Sequence, residues 1–268
     1  MPFVMKLRRR TEWSLLGGLL AVCSPEGHAT DSVTSACRHN PAYCTLLNGQ
    51  EAGVVPTVRN GAEIASIAAT LRFLTPDLKL RIERALHECA ARADAEINRR
   101  HLDSKPPSRQ QCQEVLPKLD PCGQKVTRAM QWGSEKHGLA TQCAQEKLET
   151  LIPGRFSLEP RYRYDGQTGQ VQWLSPAEVR NLLLKDCGKE LRGTLIPDVV
   201  IHSGNPLHAV SIYDFKFPCP PDNRYDWRRY PEGHIYQGSN QGNMYVEALK
   251  TEASLITPRD GIQQRIHP

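Results

Sequence analysis

Pro197-Asp198 and Asp214-Phe215-Lys216 hold the residue types best suited to chemistry in this 268-residue chain. Side chains two apart on a strand share a face, so Asp214 and Lys216 project together with Val210 and Ile212. A stripe that turns from apolar to a carboxylate and an ammonium is costly to bury unless the charges are used. Asp198 lies on the preceding strand, and the turn at Ser203–Pro206 makes the two strands an antiparallel pair. A pairing centred on Pro206 sets Asp198 opposite Asp214. Two carboxylates held close repel one another, which favours a divalent cation between them. Mg2+ suits hard oxygen ligands, with Mn2+ as the alternative. A lysine beside them can orient a water and offset phosphate charge, so the set suits phosphodiester hydrolysis. A surface ion pair at a strand end is the plainer alternative.

Two groupings flank this centre. Gly133-Ser134-Glu135-Lys136-His137 lies in a helical stretch. His137 there is a candidate metal ligand, Glu135 an alternative acidic ligand, and Gly133 a place where another backbone could approach closely. Gln241 and Tyr245, at i and i+4 on a later helix, share a face and could reach a scissile phosphate or its attacking water. Either grouping alone is an ordinary surface or core pattern.

Together, P-D followed by D-x-K on strands, G-x-x-x-H on the helix before and Q-x-x-x-Y on the helix after resemble the PD-(D/E)XK nuclease superfamily, and more closely its RecB-like branch. The resemblance covers about half of the chain. It implies an α/β restriction-endonuclease-like αβββαβ core, preceded here by an N-terminal α-helical region. It implies His137, Asp198 and Asp214 as metal ligands near the Phe215 carbonyl, Lys216 as the catalytic lysine, and Gln241 and Tyr245 as positioning groups. Asp214 stands where the family more often has Glu. The implied substrate is nucleic acid, DNA ahead of RNA.

The elements that must position these residues are legible in outline. Helical spacing runs over 61–74, with Ile64, Ile67, Leu71 and Leu74 on one stripe. A second helix starts at Pro76 and runs to about Arg100, with Leu80, Ile82, Leu86 and Cys89 inward. Lys105-Pro106-Pro107-Ser108 breaks the chain. A long helix follows over 124–152, ended by Pro153-Gly154. Strands are expected at 156–163, 170–174, 194–202, 208–217 and 253–257, a short helix from Ser175-Pro176 to about Cys187, and a helix over 238–250. This divides the chain into a helical, cysteine-containing accessory region, 30–120, and a nuclease-like domain, 121–268.

The setting is unusual for a repair nuclease. Lys6, Arg8, Arg9 and Arg10 precede an apolar stretch of ten, Trp13–Val22, which is too short to span a bilayer; small residues near Ala29 then complete a signal-peptide pattern over 1–29. Setting aside Cys23, eight cysteines remain (37, 44, 89, 112, 122, 143, 187 and 219), an even number that fits up to four disulfides in an exported chain. No C-x2-C occurs and the spacings are irregular, which argues against zinc. Charged residues at 24% and hydrophobic ones at 39% exclude a disordered chain, while a net charge of +5 permits a polyanionic partner without demanding one. The loop 217–240 interleaves Arg224, Arg228 and Arg229 with Trp227, Tyr230 and Tyr236, either to hold and stack nucleic acid or to cover the core. An exported nuclease of this kind resembles restriction-endonuclease-fold toxins, which would imply a neutralising immunity protein. The alternatives are a secreted, disulfide-stabilised binding protein with an inactive nuclease-like fold, and a cytoplasmic DNA-processing enzyme.

Overall fold

The computed structural model describes residues 73–120 and 122–268. The signal-like segment, Cys37, Cys44 and most of the 61–74 helical stretch lie outside the described residues.

Helix α1 (Pro76–Leu102) is capped by Thr75, whose hydroxyl accepts from Leu78 N, and Pro76 takes the first turn where its missing N–H is harmless. Helix α2 (Arg109–Gln113) starts at a capping box formed by Ser108 and Gln111. A two-stranded ribbon, β1 (Val115–Leu119) with β2 (Lys125–Thr127), leads into α3 (Arg128–Leu151), capped by Thr127. Next come β3 (Phe156–Leu158), the hairpin β4 (Arg161–Asp165) and β5 (Gln170–Leu174), and α4 (Pro176–Leu184) with a 3-10 segment over Asp186–Leu191. Then β6 (Val199–His202), β7 (Ala209–Phe215), α5 (Gln241–Leu249), β8 (Ala253–Thr257) and β9 (Gly261–Ile266) complete the chain.

The central sheet is mixed, in the order β3-β6-β7-β8-β9. Only β7 and β8 run parallel, joined through α5; the other neighbours are antiparallel. Val199 pairs with Tyr213, Val200 with Ile212 and Ile201 with Ser211, so the hairpin keeps the register centred on residue 206 until a shift at His202.

Strand alternation sends side chains to two separate cores. On one face Val199, Ile201, Tyr213, Phe215 and Ile256 pack with Ile82, Leu86, Ala90, Ala140, Ala144 and Leu148 of α1 and α3. The helix from the presumed accessory region therefore shares the core of the central sheet. On the other face Val200, Ile212 and Leu255 pack with Met244, Tyr245 and Leu249 of α5, and with Tyr162 and Tyr164 of β4.

Several boundaries differ from the sequence reading. The strand expected over 156–163 is two pieces, because Glu159 takes a left-handed φ of 49° ahead of Pro160 and redirects the chain out of the sheet. Residues 125–127 are strand rather than the start of α3. Strand β6 begins at Val199, not at 194. Leu80 is 54% exposed, with Leu78 packed against the core instead. Strand β9 was not anticipated: Gly261–Ile266 mixes Gln and Arg with apolar residues, as an edge strand can.

All six cysteines among the described residues are paired: Cys89 with Cys143, Cys112 with Cys219, and Cys122 with Cys187. Such bonds fit an oxidising environment. Among the described residues no helix is long and apolar enough to cross a membrane.

Candidate active site

The end of β7 carries Asp214 on the α5 side of the sheet, in line with Ile212. Asp214 is 2% exposed and Asp198 1%. Asp198 sits in the turn just before β6, and its Oδ2 accepts from the Phe215 backbone N–H at 2.6 Å. Helix α3 brings His137 from the opposite face, with Nδ1 3.4 Å from Asp198 Oδ2. That separation is an electrostatic contact without a hydrogen bond, and His137 Nδ1 is buried with no other hydrogen-bond partner. The Phe217 ring meets the imidazole edge-on at 5.1 Å.

Helix α5 starts beside this strand end because Asn240 caps it, accepting from Asn243 N. Gln241, in its first turn, links the charged groups. Its Oε1 accepts from Lys216 Nζ at 2.9 Å, while its Nε2 donates to the Tyr245 hydroxyl at 2.6 Å and lies 3.4 Å from Asp214 Oδ1. One turn on, Tyr245 donates its own proton to the Ile196 carbonyl at 2.8 Å. Lys216 Nζ is 2.5 Å from Asp214 Oδ2, close in charge but out of hydrogen-bond alignment, so that buried oxygen is not satisfied by a hydrogen bond.

Burial pushes the Asp214 carboxyl up to about 6; the Asp198 charge pushes the same way, against the pull of Lys216 and His137. Burial disfavours the His137 imidazolium, but the Asp198 carboxylate, with Asp214 behind it, outweighs burial and raises its pKa above the usual value.

The structure thus brings together His137, Asp198, Asp214, Lys216, Gln241 and Tyr245. Glu135 is elsewhere: its carboxylate binds His101 Nε2 at 2.7 Å and Gln131 Nε2 at 3.0 Å. Residues two apart on a helix point about 200° apart, so Glu135 cannot share the direction of His137. Gly133 is not a close-approach point either, since an added Cβ there would meet nothing within 4 Å. The glycine that does serve this purpose is Gly242, where a Cβ would fall 2.4 Å from Trp227 Cδ2 and 2.9 Å from Ile266 Cδ1. In the 217–240 loop, Trp227 and Tyr236 are buried against the α5 core, whereas Arg224, Arg228 and Arg229 are exposed.

Could these groups accept a cation? Two buried carboxylates, one with an under-satisfied oxygen, and an imidazole nitrogen make a donor set of the right chemistry. Among the described residues, however, no three His, Cys, Asp or Glu side chains close into a metal-holding cluster. Surface concavities of about 390 Å3 lie elsewhere, one bounded by Pro106, Arg109, Pro220 and Arg259, another by Arg81, Arg84 and Lys147.

A Ser–His pair on the sheet, Ser157 Oγ and His202 Nε2 at 2.9 Å, is not an activated nucleophile. His202 Nδ1 accepts from Gly204 N–H, so Nε2 carries the proton and donates to the serine. Burial pushes this histidine down to about 4 and keeps it neutral.

No protein-family model matches the sequence, and neither a curated protein nor a solved structure shows significant similarity to it.

Proposed function

We propose that the protein is a metal-dependent nuclease hydrolysing phosphodiester bonds of nucleic acid, DNA ahead of RNA, at the site formed by Asp198, Asp214 and Lys216. The observation that carries this reading is convergence. Four separate pieces of chain deliver His137, Asp198, Asp214-Lys216 and Gln241-Tyr245 to one strand end. The element order supports it too: helix α3, strands β3, β6 and β7, helix α5 and strand β8 run in the αβββαβ order that a PD-(D/E)XK core would have, with residues 159–197 between the first two strands.

His137, Asp198, Asp214 and the Phe215 carbonyl are the groups that would hold Mg2+, with Mn2+ as the alternative. Such an ion, when bound, supplies positive charge to phosphate oxygens and lowers the pKa of a water. Asp214 must be ionised to take part, and Lys216 and His137 are the cations that favour that form. Lys216, its side chain 19% exposed, holds its ammonium between Asp214 and Gln241. It can there neutralise phosphate charge or orient the attacking water. Gln241 fixes the ammonium, and Tyr245 fixes Gln241 against the Ile196 carbonyl.

The three disulfides and the signal-like N-terminus support an exported enzyme. A toxin role, with an immunity protein as partner, extends that reading.

Purified, oxidised protein is expected to degrade DNA with Mg2+, to stop in EDTA, and to lose at least about a hundredfold in rate on Asp214→Ala or Lys216→Ala. Activity that survives both substitutions sinks the mechanism. A second reading, a secreted binding protein with an inert nuclease-like site, is favoured by one observation: both carboxylates already have protein partners, Asp198 in the Phe215 N–H and Asp214 in Lys216. Calorimetric titration with Mg2+ separates the two, since only the enzyme requires the cation to bind at Asp198 and Asp214.

A further inference from the structure

The geometry points to Trp227 as a positioning residue for the proposed reaction, acting through Gln241 and Tyr245 without touching substrate. This inference rests on the nuclease reading above.

Trp227 lies ten or more residues from every candidate catalytic group in sequence, inside a loop whose composition invites a base-stacking role. Its indole is instead 4% exposed and spent on the protein. The ring lies against the backbone of α5 at Gly242, the residue after Gln241, so closely that a Cβ at 242 would fall 2.4 and 2.6 Å from Trp227 Cδ2 and Cε2. The indole and the Tyr245 ring stand perpendicular, at 90° with centroids 6.0 Å apart. Its Nε1–H donates to the Gln264 carbonyl on β9 at 2.9 Å, which anchors the ring to the sheet edge. The backbone around it grips the same helix end: Gln241 N–H donates to the Arg228 carbonyl at 2.8 Å, Tyr230 N–H to Ser239 at 3.2 Å, and Arg229 bridges Asn240.

The first turn of α5 is therefore clamped between β9 and the 227–230 segment, and Gln241 is the residue the clamp aims. The Gln241 amide touches Lys216, Tyr245 and Asp214, three of the proposed site's groups. A shift of that turn by a fraction of an ångström would displace Lys216 relative to Asp214 while leaving the outer substrate surface in place. Misplacements of about 1 Å in catalytic groups cost on the order of a hundredfold in rate. The missing Cβ at Gly242 and the close indole are two halves of one fit.

The test uses the full oxidised protein, plasmid DNA and Mg2+. Trp227→Ala should lower kcat by about 10- to 100-fold with KM changed less than about threefold. Trp227→Phe, which keeps a ring over Gly242 but lacks the N–H, should retain most of kcat. Gly242→Ala should reproduce the kcat loss in the presence of the indole. In the Trp227→Ala, Gly242→Ala double variant the new methyl enters the vacated space, so the two losses should not multiply. The Gln241 side-chain amide protons should exchange faster in Trp227→Ala than in the wild type by nuclear magnetic resonance. Full kcat in folded Trp227→Ala, or losses that multiply in the double variant, overturns the inference while the nuclease reading stands. Wild-type protein that cleaves nothing, yet shows the Gln241 amide loosening in Trp227→Ala, overturns the nuclease reading while the mechanical coupling stands.

Discussion

At the scale of the residue, the site is a balance of charges held out of water. Asp214 titrates near 6 in the fold against 3.8 when free, and its ionisation is thus costlier in the folded state. A folded pKa above the unfolded one contributes stability that is present at low pH and lost as pH rises through the folded value. His137, raised by the Asp198 carboxylate, works in the same direction. Without divalent cations, wild-type stability relative to Asp214→Asn should fall between about pH 4 and pH 7. Paired thermal melts across that range check it, and wild-type stability that rises relative to Asp214→Asn towards high pH would contradict the assigned burial. The juxtaposition of Asp198 and Asp214 was legible from sequence because strand parity and a four-residue turn leave few registers. Glu135 misled because it neighbours His137 in sequence, while the helical repeat sends it to His101. Leu80 misled similarly: it sits only two residues from Ile82, yet it is exposed while Ile82 is fully buried.

At the scale of the element, α5 does the most positioning with the fewest residues. Its nine residues hold Gln241, Gly242 and Tyr245, and its start depends on Asn240 accepting from Asn243 N at 2.8 Å. Asn240→Ala should cost about 1 kcal/mol of stability and, on the proposed nuclease reading, reduce the cleavage rate, because the frayed turn is the one that carries Gln241. Denaturant melts and single-turnover assays read the two effects; unchanged values for both would mean that the 227–230 segment alone holds the helix end. The helix itself was expected over 238–250 and is found at Gln241–Leu249. What held it was not, since Trp227 looks the same in sequence whether it stacks on a base or on Gly242. Strand β9 was hidden for a related reason: its Gln263, Gln264 and Arg265 read as loop until Arg265 is seen paired with Glu83 at 2.6 Å and the Gln264 carbonyl with Trp227.

At the scale of the whole molecule, the two faces of one sheet divide the labour. The α1/α3 face supplies mass and His137; the α5 face supplies the remaining site groups and is covered by the β4–β5 hairpin. That α1 belongs to the main core was not legible, because the Pro106-Pro107 break between the two helices reads as a linker. The pairing of the cysteines was equally out of reach, since spacing alone leaves every combination open.

Those pairings have a topological effect. Cys89–Cys143 and Cys112–Cys219 overlap in sequence, so every peptide bond from residue 89 to residue 219 is straddled by at least one sulfur–sulfur link. A protease that cuts an exposed loop there, such as the hairpin tip at Gly166-Gln167, opens the chain without releasing a piece of it. A single proteolytic cut between residues 89 and 219 should yield a species that keeps its full mass on a non-reducing gel and separates into fragments only after reduction. Fragments from a cut inside that span that part without reductant would rule out this pairing. Among foreign hydrolases, such a molecule can be nicked and still stay whole.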